Sequence, residues 1–190
     1  MRTILISGAS SGIGLNIAHR ELKEGNRISI GIRDIESIKG SIIDPKKWPK
    51  GKIIINKYDA LDKISAEKWI NKTIKTFGGF DTLINCSGVF SKIPFLFTDG
   101  EEEEIFKILN INFLAIWNLC RLSWEHLCTS GRGRIVVLVS MSGKRSKGDL
   151  AAYSSSKFAL MGLCQTMRNI GWDQDIRITA ICPSWVNTKM

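Results

Sequence analysis

Short apolar runs alternate with longer helix-like segments along the 190-residue chain, and this alternation limits the possible folds more than any other feature. The most apolar run, RIVVLVS at 134–140, is typical of a central strand that is covered on both faces. Repeated strand–helix–strand units predict a doubly wound parallel α/β sheet with helices on both faces, in a single domain spanning 1–190. The expected strands are 3–7, 27–32, 52–58, 82–87, 134–140 and 177–183, and the expected helices are 12–24, 65–77, 98–130 and 153–172.

A glycine-rich loop, GASSGIG at 8–14, lies between the first predicted strand and the first predicted helix. Gly8 allows a tight turn, Gly12 lets the backbone approach a phosphate, and Gly14 lets the helix pack against the sheet. The helix N-terminus then offers free N–H groups and a partial positive charge to an anion. The spacing is neither G-x-G-x-x-G nor a P-loop, and a plain turn is an equal alternative for the motif alone. Its place at the first strand-to-helix crossing favours a dinucleotide site in a Rossmann-like sheet.

The residue after the second predicted strand indicates which dinucleotide is bound. An acidic residue near this point would bond a free ribose 2′-hydroxyl, whereas an arginine suits a 2′-phosphate. The chain has Arg33 here, followed by Asp34. We therefore expect NADP(H) rather than NAD(H), and the alternative is that Arg33 is a solvated surface residue.

Charge and composition limit the other partners. The net charge of +9 suits an anionic partner, but the cations are scattered, which favours a phosphate-bearing small molecule over nucleic acid. The five cysteines form no CxxC pair and are typical of reduced, buried thiols. His19 and His126 are isolated, so no metal site is predicted.

The opening residues MRTILISG are too short for a signal peptide. We also expect no 18-residue apolar stretch that could span a bilayer. The expected location is therefore cytoplasmic, without membrane attachment.

A tyrosine and a lysine four residues apart form the centre of the candidate chemistry. One helical turn would bring Tyr153 and Lys157 together. Tyr-x₃-Lys alone is weak, but Ser140 ends the central strand and Asn112 lies in the preceding helix. Each residue also has an ordinary structural explanation, since serines often end strands and asparagines often cap or kink helices. The four together, with the glycine loop, point to one crevice at the carboxyl edge of the sheet.

Together these motifs resemble the short-chain dehydrogenase/reductase family, in its short single-domain branch, over residues 4–188. NCSG at 85–88 is similar to the family's N-N-A-G element, and PSWVNT at 183–188 is similar to P-G-x-x-x-T. The chain departs from these patterns at Cys86, Ser87 and Ser184. The resemblance implies contacts to the cofactor from Gly8, Ser10, Ser11, Gly12, Ile13, Gly14, Arg33, Asp59, Asn85, Gly88, Tyr153, Lys157, Pro183, Val186 and Thr188.

The same resemblance implies a catalytic set of Asn112, Ser140, Tyr153 and Lys157. A free tyrosine has a pKa of about 10, and a neighbouring ammonium should lower that pKa. Tyr153 would protonate the carbonyl oxygen, Ser140 would hydrogen-bond the same oxygen, and Asn112 would hold a water that relays protons through Lys157. The hydride belongs to the nicotinamide. The implied activity is reversible, NADP(H)-dependent reduction of a carbonyl compound to an alcohol.

Substrate and assembly are implied only by analogy. A 3-oxoacyl thioester or a small ketone would be typical of a relative, and a homodimer or homotetramer would form through helices 101–128 and 153–172. Candidate pocket residues, chosen by their proximity to the motifs, are Phe90, Phe95, Ser142, Leu150 and Trp185.

The resemblance also implies more chain than is present, because family members continue past Thr188 with a substrate-covering helical segment and a further strand. We therefore expect a C-terminally short domain with a less covered pocket. This keeps open a second function, a non-catalytic dinucleotide-binding regulatory or signalling protein. The intact set of Ser140, Tyr153 and Lys157 favours the enzyme.

Overall fold

A single six-stranded parallel sheet organises the computed structural model, which describes residues 1–188. The strand order is β3-β2-β1-β4-β5-β6, so the chain builds outward from β1 in one direction and then returns to build in the other. The strands are β1 (Thr3–Ser7), β2 (Arg27–Ile32), β3 (Ile53–Lys57), β4 (Thr82–Asn85), β5 (Arg134–Leu138) and β6 (Arg177–Ile181). The helices are α1 (Gly12–Lys23), α2 (Lys63–Phe77), α3 (Glu102–Leu109), α4 (Ala115–Thr129) and α5 (Ala151–Trp172). The predicted fold class is confirmed.

Alternate residues of the strands supply two hydrophobic layers. On β1, Ile4 and Ile6 point into the layer covered by α1, whereas Leu5 points into the layer covered by α2, α4 and α5. Successive strand side chains face opposite sides of a sheet, so a strand buried on both faces must be apolar at every position. This is why the strands are continuous apolar runs in the sequence.

The predicted helix 98–130 is divided by a π-helical turn at Asn110–Leu114, which joins α3 to α4. Such a turn contains one extra residue, and here it places Ile111 and Asn112 in the interior. Just before α3, the Glu101 carboxylate accepts a hydrogen bond from the Thr98 N–H at 2.7 Å, which is one half of a capping box.

The expectation that no stretch could span a bilayer is wrong on length and composition. The segment Glu102–Thr129 contains an 18-residue window with a mean hydropathy of 1.3, of which 33% is buried. Its buried side chains Ile116, Leu119 and Cys120 pack in the core with α2 and β1. Burial against the sheet accounts for that part of the helix's apolar character.

The strands β4, β5 and β6 end before the corresponding apolar runs of the sequence end. β4, β5 and β6 stop two residues before the predicted 82–87, 134–140 and 177–183. All three shortfalls lie at the carboxyl edge, where the chain leaves the sheet to form loops. The residues after these strands therefore line a crevice rather than extend the sheet.

Candidate active site

The carboxyl edge of the sheet opens onto a cavity of about 890 Å³, within the range of small-molecule and cofactor sites. The cavity begins at the glycine loop, passes the ends of β2, β3 and β4, and reaches the start of α5. The predicted site residues that line it are Gly8, Ser10, Ser11, Gly12, Ile13, Gly14, Arg33, Asp59, Gly88, Ser140, Tyr153, Lys157, Pro183, Val186 and Thr188. Asn85 and Asn112 are fully buried and do not line it.

The glycine loop is a tight turn with no space for a side chain at Gly8 or Gly14. Gly8 has a φ of +70°, and a Cβ there would lie 2.7 Å from the backbone nitrogen of Ser87. A Cβ on Gly14 would lie 2.6 Å from the carbonyl oxygen of Gly8, so α1 can approach β1 only without a side chain. The Ser11 side chain makes no capping hydrogen bond, so the first-turn N–H groups of α1 remain available to an anion.

At the end of β2, Arg33 lines the cavity, whereas the carboxylate of the adjacent Asp34 caps a helical turn. Asp34 accepts a hydrogen bond from the Glu36 N–H at 2.9 Å and caps a short 3₁₀ turn, Ile35–Ile38. Arg33 is exposed, lines the cavity and forms no ion pair with any residue in 1–188. This arrangement suits a phosphate beside Arg33 better than a hydroxyl beside Asp34.

Two further predicted contacts lie at the ends of β3 and β4. Asp59 lines the cavity, and its carboxylate accepts a hydrogen bond from the Leu61 N–H at 3.0 Å. Asn85 is the last residue of β4, and its amide nitrogen donates to the Cys120 sulfur at 3.5 Å. Asn85 therefore packs behind the cavity wall. The other three residues of NCSG, namely Cys86, Ser87 and Gly88, line the cavity.

Tyr153 and Lys157 lie one turn apart on α5, as predicted. Lys157 is 4% exposed, and its Nζ lies 5.6 Å from the centroid of the Tyr153 ring. The same Nζ donates a hydrogen bond to the carbonyl oxygen of Leu138 at 3.2 Å. The Tyr153 ring also packs edge-on against Phe90, with the ring centroids 5.0 Å apart. The end of β5 and the loop after β4 thus hold the pair from two sides.

Burial dominates the electrostatics of this pair. Burial raises the pKa of Tyr153, and a hydrogen bond from the Ser140 side chain opposes the rise. Burial lowers the pKa of Lys157 to about 8, and the nearby thiols of Cys164, Cys182 and Cys86 oppose that change. The prediction that Lys157 lowers the pKa of Tyr153 is wrong in this structure, because burial of the phenol dominates and the opposing contribution comes from Ser140 rather than from Lys157. Lys157 therefore exchanges its proton at a lower pH than an exposed lysine.

Ser140 follows β5 and begins a second 3₁₀ turn, Met141–Gly143. Its oxygen accepts a hydrogen bond from the Ser142 N–H at 3.1 Å, which fixes the side chain in place. The hydroxyl proton is thus the one that Ser140 donates to the Tyr153 oxygen. Ser140 and Tyr153 therefore present two hydroxyl groups at one point of the cavity wall.

Asn112 makes buried hydrogen bonds that the sequence did not predict. Its amide oxygen accepts from the Val89 N–H at 2.8 Å, and its amide nitrogen donates to the Val89 carbonyl at 2.9 Å and to Ser156 Oγ at 3.2 Å. The side chain is fully buried, makes three hydrogen bonds within the protein and does not line the cavity where a relay water would lie. In this structure Asn112 is a positioning residue that joins the π-helical turn to the loop after β4 and to α5.

Sequence reasoning missed one wall of the cavity. Of the candidate pocket residues, Phe90, Ser142, Leu150 and Trp185 line the cavity, whereas Phe95 is 81% exposed and lies outside it. The missed residues include Lys107, Arg145 and Lys147. The signal for the last two was the run KRSK at 144–147, which lies between two predicted catalytic residues.

The remaining cysteines and histidines form no metal centre. All five cysteines are free thiols, with Cys120 and Cys164 buried and the other three half-buried. His19 packs against Trp48 and His126 packs against Phe80. Among residues 1–188 no group of three or more His, Cys, Asp or Glu side chains is placed to hold a metal ion.

Comparison with known proteins gives consistent results. The profile of the family described as short chain dehydrogenase matches residues 2–190. The agropine synthesis reductase of Rhizobium rhizogenes is 33% identical over 187 residues, which are 98% of this chain and 42% of that protein. The 11-beta-hydroxysteroid dehydrogenase-like 3 of Arabidopsis thaliana is 32% identical over 190 residues, which are 100% of this chain and 60% of that protein.

Among solved structures, a variant of actinorhodin polyketide ketoreductase crystallised with NADPH superimposes with a TM-score of 0.90 and 26% sequence identity. The match covers 100% of this chain and 72% of that one. The chain thus spans about two fifths to three fifths of the length of the two relatives named above. The family profile over residues 2–190, together with the sheet order and the glycine loop of this chain, leads to one conclusion: the chain belongs to the short-chain dehydrogenase family.

Proposed function

We propose that this chain is an NADP(H)-dependent oxidoreductase that reduces a carbonyl compound to an alcohol, reversibly. The observation that carries the proposal is the meeting of the Tyr153 and Ser140 hydroxyls with the buried Lys157 in the cavity that begins at the glycine loop. The reductase and dehydrogenase names of the relatives support this reaction class.

The cavity suits a nicotinamide dinucleotide. The uncapped N-terminus of α1 and the tight turn at Gly8 would hold the pyrophosphate. Thr188 lies against Gly12, where a Cβ would be 3.2 Å from Thr188 Cγ2. A bound nicotinamide would supply or accept the hydride. The cofactor's remaining groups would lie along the ends of β2 and β3, where Arg33 and Asp59 line the cavity.

The proton belongs to the side chains of this protein. Tyr153 would donate its phenolic proton to the substrate oxygen as that oxygen gains negative charge, and Ser140 would donate a hydrogen bond to the same atom. Burial raises the pKa of Tyr153, which keeps the phenol protonated for the reductive direction. Lys157, with a pKa of about 8, exchanges protons near neutral pH and would restore the proton of the phenol.

NADP(H) is preferred over NAD(H) in this proposal because of Arg33. The neighbouring carboxylate of Asp34 is used as a cap, and Arg33 has no carboxylate partner in the described residues. The NADPH bound to the neighbouring ketoreductase structure supports the same choice. Replacement of Arg33 by alanine should raise the KM for NADPH about tenfold and leave the KM for NADH unchanged, with the exposed Arg121→Ala as a control.

Assembly and location are further parts of the proposal. Exposed apolar side chains on α4 and α5, including Trp117, Phe158 and Trp172, support a homodimer or homotetramer through these helices. We place the protein in the cytoplasm, acting on a small molecule rather than on nucleic acid.

The decisive experiment follows oxidation of NADPH and of NADH with a panel of ketones and aldehydes, alongside measurement of cofactor binding. Turnover with NADPH supports the proposal. Tight NADPH binding without turnover of any carbonyl would favour the second candidate, a non-catalytic dinucleotide-binding regulatory protein.

A further inference from the structure

The substrate end of the cavity is positively charged. The cavity is lined by five cations, and its two carboxylates, Asp34 and Asp59, both lie at the ends of β2 and β3. Arg145 and Lys147 lie on the loop between Ser140 and Tyr153, and Lys107 lies on α3; among residues 1–188 no carboxylate of this loop or of α3 lines the cavity. The field at the place where a substrate would enter is therefore positive and is not cancelled within the cavity.

Two of these three cations have no acidic partner among residues 1–188. Lys107 forms an ion pair with Glu104 at 2.9 Å. Arg145 forms no ion pair, and Lys147 lies 6.0 Å from the centroid of the Trp185 ring, itself a cavity residue. The acidic residue of the same loop, Asp149, faces Lys92 instead.

The backbone of the loop holds Arg145 and Lys147 in position. The Arg145 N–H donates to the Met141 carbonyl at 3.0 Å, and the Lys147 carbonyl accepts from the Leu150 N–H at 3.1 Å. The base of the loop presses on α5, since a Cβ on Gly143 would lie 2.8 Å from the Lys157 carbonyl oxygen. The two cations thus project from a loop whose ends are fixed beside Ser140 and Tyr153.

We infer that the physiological substrate carries an anionic group, a carboxylate or a phosphate, which Arg145 and Lys147 bind while the carbonyl lies at Tyr153. Arginine offers a bidentate fork for such groups, and lysine adds a point charge. This inference rests on the proposed function and names the substrate class of that site. It excludes a purely apolar ketone as the preferred substrate.

The test uses pairs of ketones that differ only in charge. Levulinate is compared with methyl levulinate, and dihydroxyacetone phosphate with dihydroxyacetone, so the two arms separate carboxylate from phosphate recognition. The variant is the double substitution Arg145→Ala and Lys147→Ala. Its matched control is Lys144→Ala, because Lys144 is an exposed cation of the same loop that does not line the cavity.

We expect the wild type to prefer one anion over its neutral partner, and the double variant to lose that preference by about a hundredfold in kcat/KM, roughly tenfold per cation. The loss should lie in KM, because the cations contact a group remote from the reacting carbon. Neutral ketones, NADPH affinity and the Lys144 control should change by less than about twofold. Added salt should weaken only the anionic substrates.

A second readout does not require turnover. Calorimetry on protein saturated with NADP⁺ measures levulinate and dihydroxyacetone phosphate binding directly, so the inference stands or falls even if no ketone is reduced. Equal binding of charged and neutral partners, or no binding of either anion, would overturn it. An equal loss of kcat/KM for neutral ketones in the double variant would show that the loop has a packing role. A matching loss of NADPH affinity would show that the two cations bind the cofactor. Either result would also overturn the inference.

Discussion

Replacing Lys157 with methionine should change how the stability of the protein depends on pH. The folded protein holds this amine at a pKa of about 8, against an ordinary value of 10.5. Between these two values the unfolded chain carries a proton on Lys157 that the folded protein has released. Wild-type stability therefore rises with pH across this window because of Lys157, and the contribution is lost as the pH falls toward 8.

The magnitude follows from the size of the pKa change. A pKa lower by about 2.5 corresponds to about 3 kcal/mol, which is the cost of charging the buried amine at pH 7. By pH 10 most of that cost has disappeared, because the folded protein has released the proton and pH 10 lies only about half a unit below the unfolded pKa of 10.5. Methionine keeps a similar volume and has no charge. The stability advantage of Lys157→Met over wild type should thus shrink by about 2–3 kcal/mol between pH 7 and pH 10.

Urea denaturation at several pH values measures this difference. Only the change of the gap with pH is used, because the loss of the hydrogen bond to the Leu138 carbonyl is a pH-independent offset. The thiols of Cys86 and Cys164, whose pKa values are raised by burial, titrate in both proteins, so only the part of their titration that Lys157 influences adds to the measured change. Lys144→Met is the exposed control and should show a constant gap. A gap for Lys157→Met that is constant within about 0.5 kcal/mol would refute the burial argument.

Two further predictions concern the framework of the site. Asn112→Ala removes three buried hydrogen bonds and should lower the free energy of unfolding by about 3 kcal/mol, at about 1 kcal/mol each. In the same denaturation experiment, replacing the exposed Asn71 by alanine should lower the free energy of unfolding by less than about 0.5 kcal/mol. Similar losses for the two variants would contradict the positioning role of Asn112. Gly14→Ala puts a Cβ 2.6 Å from the Gly8 carbonyl oxygen and should weaken NADPH binding at least about tenfold. The control is Gly162→Ala, because a Cβ there would have no atom within 4 Å. This variant should bind NADPH normally and be about 0.5–1 kcal/mol more stable than wild type. Equal NADPH affinities, measured by fluorescence titration, would show that the close approach at Gly14 does not shape the cofactor loop.

The sheet and its helices could be predicted from the sequence because burial on both faces leaves a visible pattern. Every predicted strand exists, and the glycine loop lies at the predicted crossing. The ends of the strands could not be predicted, since residues such as Val139 remain apolar after the chain leaves the sheet. The Val139 N–H still donates to the Ile181 carbonyl at 2.8 Å, so even its backbone bonding resembles that of a strand.

The site was predictable in its residue types and less so in its geometry. The spacing of Tyr153 and Lys157 fixed their common face, but the pKa of Lys157 depends on burial and on electrostatic interactions with residues far away in sequence, including Cys86 and Cys182. The partner of Asn112 is Val89, 23 residues earlier, and no local pattern links them. A π-helical turn leaves no mark on hydrophobic periodicity, so the inward position of Asn112 could not be foreseen.

The charge of the substrate pocket shows the same division. The run KRSK at 144–147 was visible, but which of its cations face the cavity depends on the turn at Met141–Gly143. The structure places Arg145 and Lys147 on the wall and leaves Lys144 outside it. That selection is a property of backbone geometry and not of composition.

The most direct measurement of the central claim is the turnover number of Tyr153→Phe with NADPH and a reducible ketone, beside its affinity for NADPH. Phenylalanine keeps the ring against Phe90 and removes only the hydroxyl. Loss of the general acid should lower kcat by about 10²–10⁴-fold while the dissociation constant for NADPH stays within about twofold of wild type. A kcat within about tenfold of wild type would contradict proton donation by Tyr153.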